Sequence, residues 1–179
     1  MLRAYARDVT IPPDRRLFVA LALPDDLREH VARLSASALA HTSATLVPAA
    51  NLHVTLQFLG TVSSPAEQDL HVALADALCG PAIRVRVGDL VPRPSPGQAR
   101  LVAIELEDVD GALTVLSKRI HRATATALGG AISNRPLWPH ITVARFRRPE
   151  RVRRSPTTKS EHVFDIARVA LYHSDIAPG

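Results

Sequence analysis

An α+β fold built from two similar lobes is the architecture this chain predicts. Three observations carry it. Short alternating or apolar runs rich in Val, Ile and Leu mark strands, and amphipathic runs between them mark helices. The order strand, helix, strand occurs over residues 16–58 and again over 99–146. Each of these units ends in the same tetrapeptide, His-x-Thr-hydrophobic: His53-Val54-Thr55-Leu56, then His140-Ile141-Thr142-Val143, 87 residues further on. The expectation is two lobes related by a pseudo-twofold, each an antiparallel sheet with outer helices, and motif strands facing a central cleft. Residues 1–15 read as an extension and 16–179 as one bilobal domain, because no Pro-, Gly- or Ser-rich linker is long enough to divide it.

Taken in order, Arg16–Leu23 is an apolar run stopped by Pro24 and predicts a buried strand. Asp25–Ala40 predicts a helix, with Asp25 as N-cap and Leu27, Val31 and Leu34 on one face. Leu52–Phe58 is the first motif strand, ended by Gly60. Ser64-Pro65-Ala66-Glu67 has the form of a capping box with proline at the first helical position, and Leu70, Leu74 and Leu78 make the buried stripe before Gly80-Pro81 stops the helix. Ile83–Val91 alternates as a half-exposed strand, Pro92–Gly97 is a turn, and Ala99–Leu106 is another strand. Asp110–Leu128 predicts a helix with Leu113, Leu116 and Ile120 inward, closed by Gly129-Gly130. Trp138–Phe146 is the second motif strand and Val163–Tyr172 the last strand.

Bulk properties narrow the class. With 179 residues the chain can bury one substantial core, and with only 4% aromatic residues that core must be aliphatic. One cysteine, Cys79, excludes an internal disulfide and reads as a buried structural thiol. No apolar run approaches the roughly 18 residues of a membrane span. Arg3 and Arg7 are not followed by an apolar stretch, so the start is a poor secretory signal. A cytoplasmic monomer, with no membrane and no obligate protein partner, follows by default. The net charge is +5, almost all of it arginine, since Lys118 and Lys159 are the only lysines. Between Arg145 and Lys159 seven basic residues face one acid, Glu150. That segment is either a solvated loop or a surface for a polyanion.

The motifs point to chemistry on phosphate. On a strand each His and its Thr share a face, so two such strands place two imidazoles and two hydroxyls around one pocket. Hydrolysing a phosphodiester needs a base for water, an acid for the leaving oxygen, and donors for the non-bridging oxygens. Imidazole titrates near neutral pH and serves as either acid or base. A zinc site is the competing reading, but neither histidine has a Cys, Asp or second His at ligand spacing. No glycine-rich phosphate loop and no paired carboxylates accompany the motifs.

Four segments carry a resemblance: RLFVALALP (16–24), NLHVTLQFLG (51–60), RPLWPHITVARF (135–146) and VALYHS (169–174). Through them the chain resembles the 2H phosphoesterase superfamily, and within it the LigT-like RNA 2′,3′-cyclic phosphodiesterases, also called 2′-5′ RNA ligases. The resemblance implies a hydrolase needing no metal or cofactor that opens a terminal 2′,3′-cyclic phosphate on RNA and leaves a 2′-phosphate, together with reversible 2′-5′ RNA ligation. It implies His53 and His140 as the catalytic pair, Thr55 and Thr142 as phosphate ligands, and Arg145 as a contact to phosphate or base. The expected assignment is His53 as acid and His140 as base. Strict alternation would put Arg145 on the wrong face, unless the strand bends or ends after Val143. Phe18 is a candidate base-stacking platform, with a core role as the alternative, and Phe58 is expected in the core beside Val54 and Leu56. A nucleotide-binding module without turnover, and a phosphodiesterase for small cyclic nucleotides or 2′-5′ oligonucleotides, remain as alternatives.

Overall fold

The computed structural model describes residues 15–77, 80–130, 136–153 and 162–174. Cys79, Leu78, Arg154, Lys159 and the extension before Arg15 lie outside the described residues. In chain order the strands are β1 (Arg15–Ala22), β2 (Thr45–Leu46), β3 (His53–Val62), β4 (Ile83–Arg93), β5 (Ala99–Asp108), β6 (His140–Glu150), β7 (Val163–Ile166) and β8 (Arg168–His173). The helices are α1 (Asp25–Ala38), α2 (Ser64–Ala77) and α3 (Ala112–Ala127). The strands follow the order β7-β4-β5-β6-β3-β1-β8, with the two-residue β2 added to β6.

That order contains the duplication. The triplets β8-β1-β3 and β4-β5-β6 run outward from a shared seam where β3 and β6, the two motif strands, pair antiparallel at Val54 and Ile141. The two predicted lobes therefore merge into one sheet, with the motifs at the join. Only Ala167 separates β7 from β8, yet these strands lie at opposite ends of the order. One residue cannot span a flat sheet of that width, so the sheet curls until its ends meet, close to a barrel. The single strand expected over Val163–Tyr172 is thus two strands with different partners: β7 pairs with β4, and β8 with β1.

One aliphatic core lies behind the cleft. Val54, Ile104 and Ile141 from the sheet join Leu27 and Val31 of α1 and Leu113, Leu116 and Ile120 of α3 in one buried cluster. These helical positions are the predicted inward stripes. A smaller cluster of Leu17, Val62 and Leu70 seats α2.

Element ends differ from expectation in ways that have local causes. Pro24, not Asp25, is the N-cap of α1, and Asp25 instead sits in the first turn, paired with Arg28. The first turn of α2 closes from the Glu67 N–H to the Ser63 carbonyl at 2.9 Å, one residue ahead of the predicted start. Helix α3 is capped by Asp108, whose carboxylate accepts from the Leu113 and Thr114 N–H groups at 3.1 and 2.9 Å, so Asp110 plays only a supporting part. Gly129, at φ +62°, ends α3 as predicted, in the left-handed conformation that favours glycine. Strand β4 continues through Pro92 to Arg93, because Pro92 is buried and keeps its place opposite Val102 of β5.

Strand β3 runs past Gly60 to Val62. Gly60 adopts φ +75°, and the register with β1 slips there: Leu17 faces Gly60 but Phe18 faces Phe58, leaving Leu59 over. The glycine makes a bulge rather than an end.

Candidate active site

The site grows out of the β3–β6 seam. With Val54 opposite Ile141 and both side chains buried beneath the sheet, the flanking residues project into the cleft. Antiparallel register about this pair sets His53 across from Thr142 and Thr55 across from His140. Two strands with identical motifs therefore give a quartet with local twofold symmetry. His53, Thr55, His140 and Thr142 line one cleft of about 390 Å³, together with Phe18 and Arg145. Every residue that the sequence nominated for the site is brought together there.

Each imidazole is held the same way. The Nδ1–H of His53 donates to the Asn51 carbonyl at 2.8 Å, and the Nδ1–H of His140 donates to the Trp138 carbonyl at 2.7 Å. A carbonyl only accepts, so Nδ1 carries the proton in both neutral rings. The other nitrogen, Nε2, is left to receive or deliver a proton in the cleft.

Arg145 reaches the cleft through a β-bulge. On β6, Thr142 faces Ala103 of β5 but Ala144 faces Val102, so Val143 is an extra residue. Val143 and Ala144 are consecutive and both buried, and beyond them the alternation is inverted. Arg145 thereby shares the face of His140 and Thr142 that strict alternation denied it. The strand β2 sits against this stretch, with Thr45 opposite Arg145.

The same device operates on β3. Ala20 faces Thr55 while Val19 faces Gln57, so Leu56 is extra, and Leu56 and Gln57 are both buried. Phe58 is thereby turned out of the core and into the cleft, where it is 68% exposed. The expectation of a core Phe58 is wrong for the same reason that the difficulty over Arg145 dissolves: neither bulge leaves a mark in the local sequence.

Beyond the shared frame the histidines have different neighbours. Around His53 lies an aromatic wall. Phe18 is 5.0 Å from its ring, Tyr172 is 6.0 Å away and stacked, and Phe18 stacks in turn on Tyr172 at 5.4 Å. Phe58 lies 6.1 Å from Phe18. Around His140 the setting is polar and more enclosed. The Trp138 indole stacks on the imidazole at 3.8 Å, and Arg93 lies over the indole at 4.4 Å. Trp138 Nε1–H donates to Glu105 at 3.1 Å, and Arg93 approaches the same carboxylate at 3.6 Å. Burial lowers the His140 pKa below the ordinary imidazole value. The Trp138 carbonyl opposes that effect, Arg93 and His53 add to it, and Glu105 opposes it. Tyr172, Phe58, Trp138, Arg93 and Glu105 are thus site residues that the sequence reading did not nominate. The tryptophan two residues before a motif histidine was the one available signal.

Among the described residues no group of three or more His, Cys, Asp or Glu gathers as a metal site. Nor, among them, is any helix long and apolar enough to cross a membrane.

The chain is similar to known proteins in sequence and in fold. No family model matches the chain. It is 34% identical over 134 residues to the RNA 2′,3′-cyclic phosphodiesterase of Escherichia coli strain K12, covering 73% of this chain and 72% of that protein. It is 28% identical over 153 residues to the RNA 2′,3′-cyclic phosphodiesterase of Archaeoglobus fulgidus, covering 86% and 79%. Among solved structures, Escherichia coli LigT complexed with 3′-AMP superposes with a TM-score of 0.74 at 30% identity, over 93% of this chain and 91% of that one.

Proposed function

The chain belongs to the RNA 2′,3′-cyclic phosphodiesterase family, the LigT-like 2H phosphoesterases, and we propose that its cleft opens a terminal 2′,3′-cyclic phosphate on RNA by two-histidine acid–base hydrolysis. The observation that carries this reading is the pair of imidazoles that line one cleft, each anchored through Nδ1 to the carbonyl two residues before it, which leaves Nε2 as the nitrogen for proton transfer. A module that only binds a nucleotide has no need of two groups so prepared for proton transfer.

His140 is the base. Its lowered pKa keeps the ring neutral, and Nε2 takes a proton from water as the water oxygen attacks phosphorus. His53, protonated, gives its Nε2 proton to the 3′ oxygen as the P–O3′ bond breaks. The products are a 3′-hydroxyl and a 2′-phosphate, and the two histidines end with their protons exchanged. Thr55 and Thr142 donate hydroxyl hydrogen bonds to the non-bridging oxygens, and Arg145 balances their charge. With an RNA 5′-hydroxyl in place of water the same attack on phosphorus would give a 2′-5′ linkage, and in the cleavage that reverses this ligation the roles of the two histidines swap. Phe18, with Tyr172 and Phe58, offers a face on which the terminal base stacks.

The test is an RNA oligonucleotide ending in a 2′,3′-cyclic phosphate, incubated with the protein in EDTA, with the product end identified. Conversion to a 2′-phosphate is expected, abolished by His53→Ala and by His140→Ala. Turnover only after zinc or magnesium is restored would replace this mechanism with a metal-dependent one, and no turnover under either condition would reject the activity.

A further inference from the structure

The cleft continues past the catalytic quartet. Arg145 stands at one end of it; at the other are Gly60, Ser174 and a second arginine, Arg16. None of the residues lining the cleft is acidic. Arg16 is the first residue of the predicted strand Arg16–Leu23.

Its placement is well determined by its neighbours. On β1 Leu17 and Val19 are buried, so Arg16 and Phe18 share the opposite, cleft-facing side. The strand is paired on both edges: Arg16 lies opposite Thr61 of β3, and its carbonyl accepts the Ser174 N–H at 2.8 Å. The guanidinium forms no ion pair among the described residues. Arg93, by contrast, is engaged by Glu105 and Trp138. An arginine with no counter-ion among the described residues, in a cleft none of whose described lining residues is acidic, is a standing site for an anion.

Order along the cleft says which anion. Arg145 and the His–Thr quartet come first, then Phe18 and Phe58, with Tyr172 stacked on Phe18, and Arg16 one same-face step beyond Phe18, about 6.6 Å along the strand. A nucleic acid end presents groups in the same order: terminal phosphate, nucleoside, then the phosphodiester to the 5′ neighbour. From this we infer that Arg16 binds the phosphodiester linking the terminal nucleotide to the one before it, so that the site selects oligonucleotide ends over mononucleoside cyclic phosphates. The inference rests on the functional reading above and adds the substrate class to it.

Three substrates test it: a mononucleoside 2′,3′-cyclic phosphate, a dinucleotide ending in the same cyclic phosphate, and that dinucleotide with its internal linkage replaced by an uncharged methylphosphonate. The wild-type protein is expected to favour the charged dinucleotide over the methylphosphonate by roughly tenfold in kcat/KM, the scale of one charge-assisted contact. Arg16→Gln should collapse that ratio towards one, and Arg16→Lys should restore part of it. The dependence of log kcat/KM on log salt for the dinucleotide should also become shallower by about 0.7 in Arg16→Gln. Equal turnover of the charged and uncharged dinucleotides by the wild-type protein would overturn the inference, as would an Arg16→Gln ratio equal to wild type. Turnover of the mononucleotide together with either result would leave the cyclic phosphodiesterase reading intact. Turnover of none of the three would overturn that reading, and this inference with it.

Discussion

Strands β3 and β6 share a backbone and differ in chemistry. At a constant offset of 87 residues, Asn51 matches Trp138, His53 matches His140, Thr55 matches Thr142 and Phe58 matches Arg145. Both histidines donate to the carbonyl two residues before them, and both strands insert a bulge at the last residue of the motif. Everything that fixes position is therefore duplicated. What differs is the side chain at each matched place outside the motif. Cross-strand from His53 is Ala22, whereas cross-strand from His140 is Glu105. One bulge delivers an aromatic ring to the cleft, the other a guanidinium. Two identical groups with identical roles would make a poor acid–base pair, since hydrolysis needs one proton donor and one acceptor at the same moment. Here the symmetric frame places the groups, and in the proposed mechanism the asymmetric surroundings separate their roles.

The largest effect should come from breaking the symmetric part. His53→Ala and His140→Ala are each expected to lower kcat by roughly 10²–10⁴-fold, the range for loss of a positioned acid or base. Their pH profiles in single-turnover assays should differ. Loss of the base should remove the acidic limb of the kcat/KM profile, and loss of the acid the alkaline limb. The opposite pattern would exchange the two assignments.

Next come the matched donors and the mismatched bulge residues. Thr55→Val and Thr142→Val should each cost about tenfold to a hundredfold in kcat/KM, since each removes a hydrogen bond to a charged oxygen. Phe58→Ala should raise KM for an RNA end by roughly fivefold or more with a smaller change in kcat, from the lost stacking face. An unchanged KM would return Phe58 to a passive role.

A smaller effect separates the two histidine environments. The acidic limb of kcat/KM should report His140, and it should lie below the ordinary imidazole value because burial, Arg93 and His53 disfavour the charged ring. Arg93→Met removes a cation, makes protonation of His140 easier, and should move the limb to higher pH. Glu105→Gln removes an anion while keeping an acceptor for the Trp138 N–H, and should move it to lower pH. Shifts of the same sign in both variants would show that the stack acts through packing rather than charge.

Smallest of all is a change in stability alone. On β3 a second slip falls at Gly60, whose φ of +75° is a left-handed conformation, while a Cβ there would meet nothing within 4 Å. Gly60→Ala should therefore cost only the backbone strain, about 1–2 kcal/mol, seen as a drop of a few degrees in Tm.

Much of this protein follows from local pattern. The β-branched and leucine-rich runs place most of the strands, the predicted apolar stripe of α3 and Leu27 and Val31 of α1 are found buried, with Leu34 only half-buried, and the duplicated His-x-Thr motif puts two imidazoles and two hydroxyls on one face. These are consequences of periods of two and 3.6 residues, which a chain carries whether or not it has found its partners. The rest waited for those partners. Whether Phe58 and Arg145 face the core or the cleft depends on a one-residue slip against β1 and β5, and register is a property of two strands. The division of Val163–Tyr172 into β7 and β8 exists because its first part pairs with β4 and its second with β1, near opposite ends of the strand order. The Arg93–Trp138–Glu105 stack joins residues from three strands' worth of sequence, and Arg16 gains meaning only from the cleft it borders. Periodicity is written along the chain, whereas register, closure and the company a side chain keeps are settled between segments far apart in it.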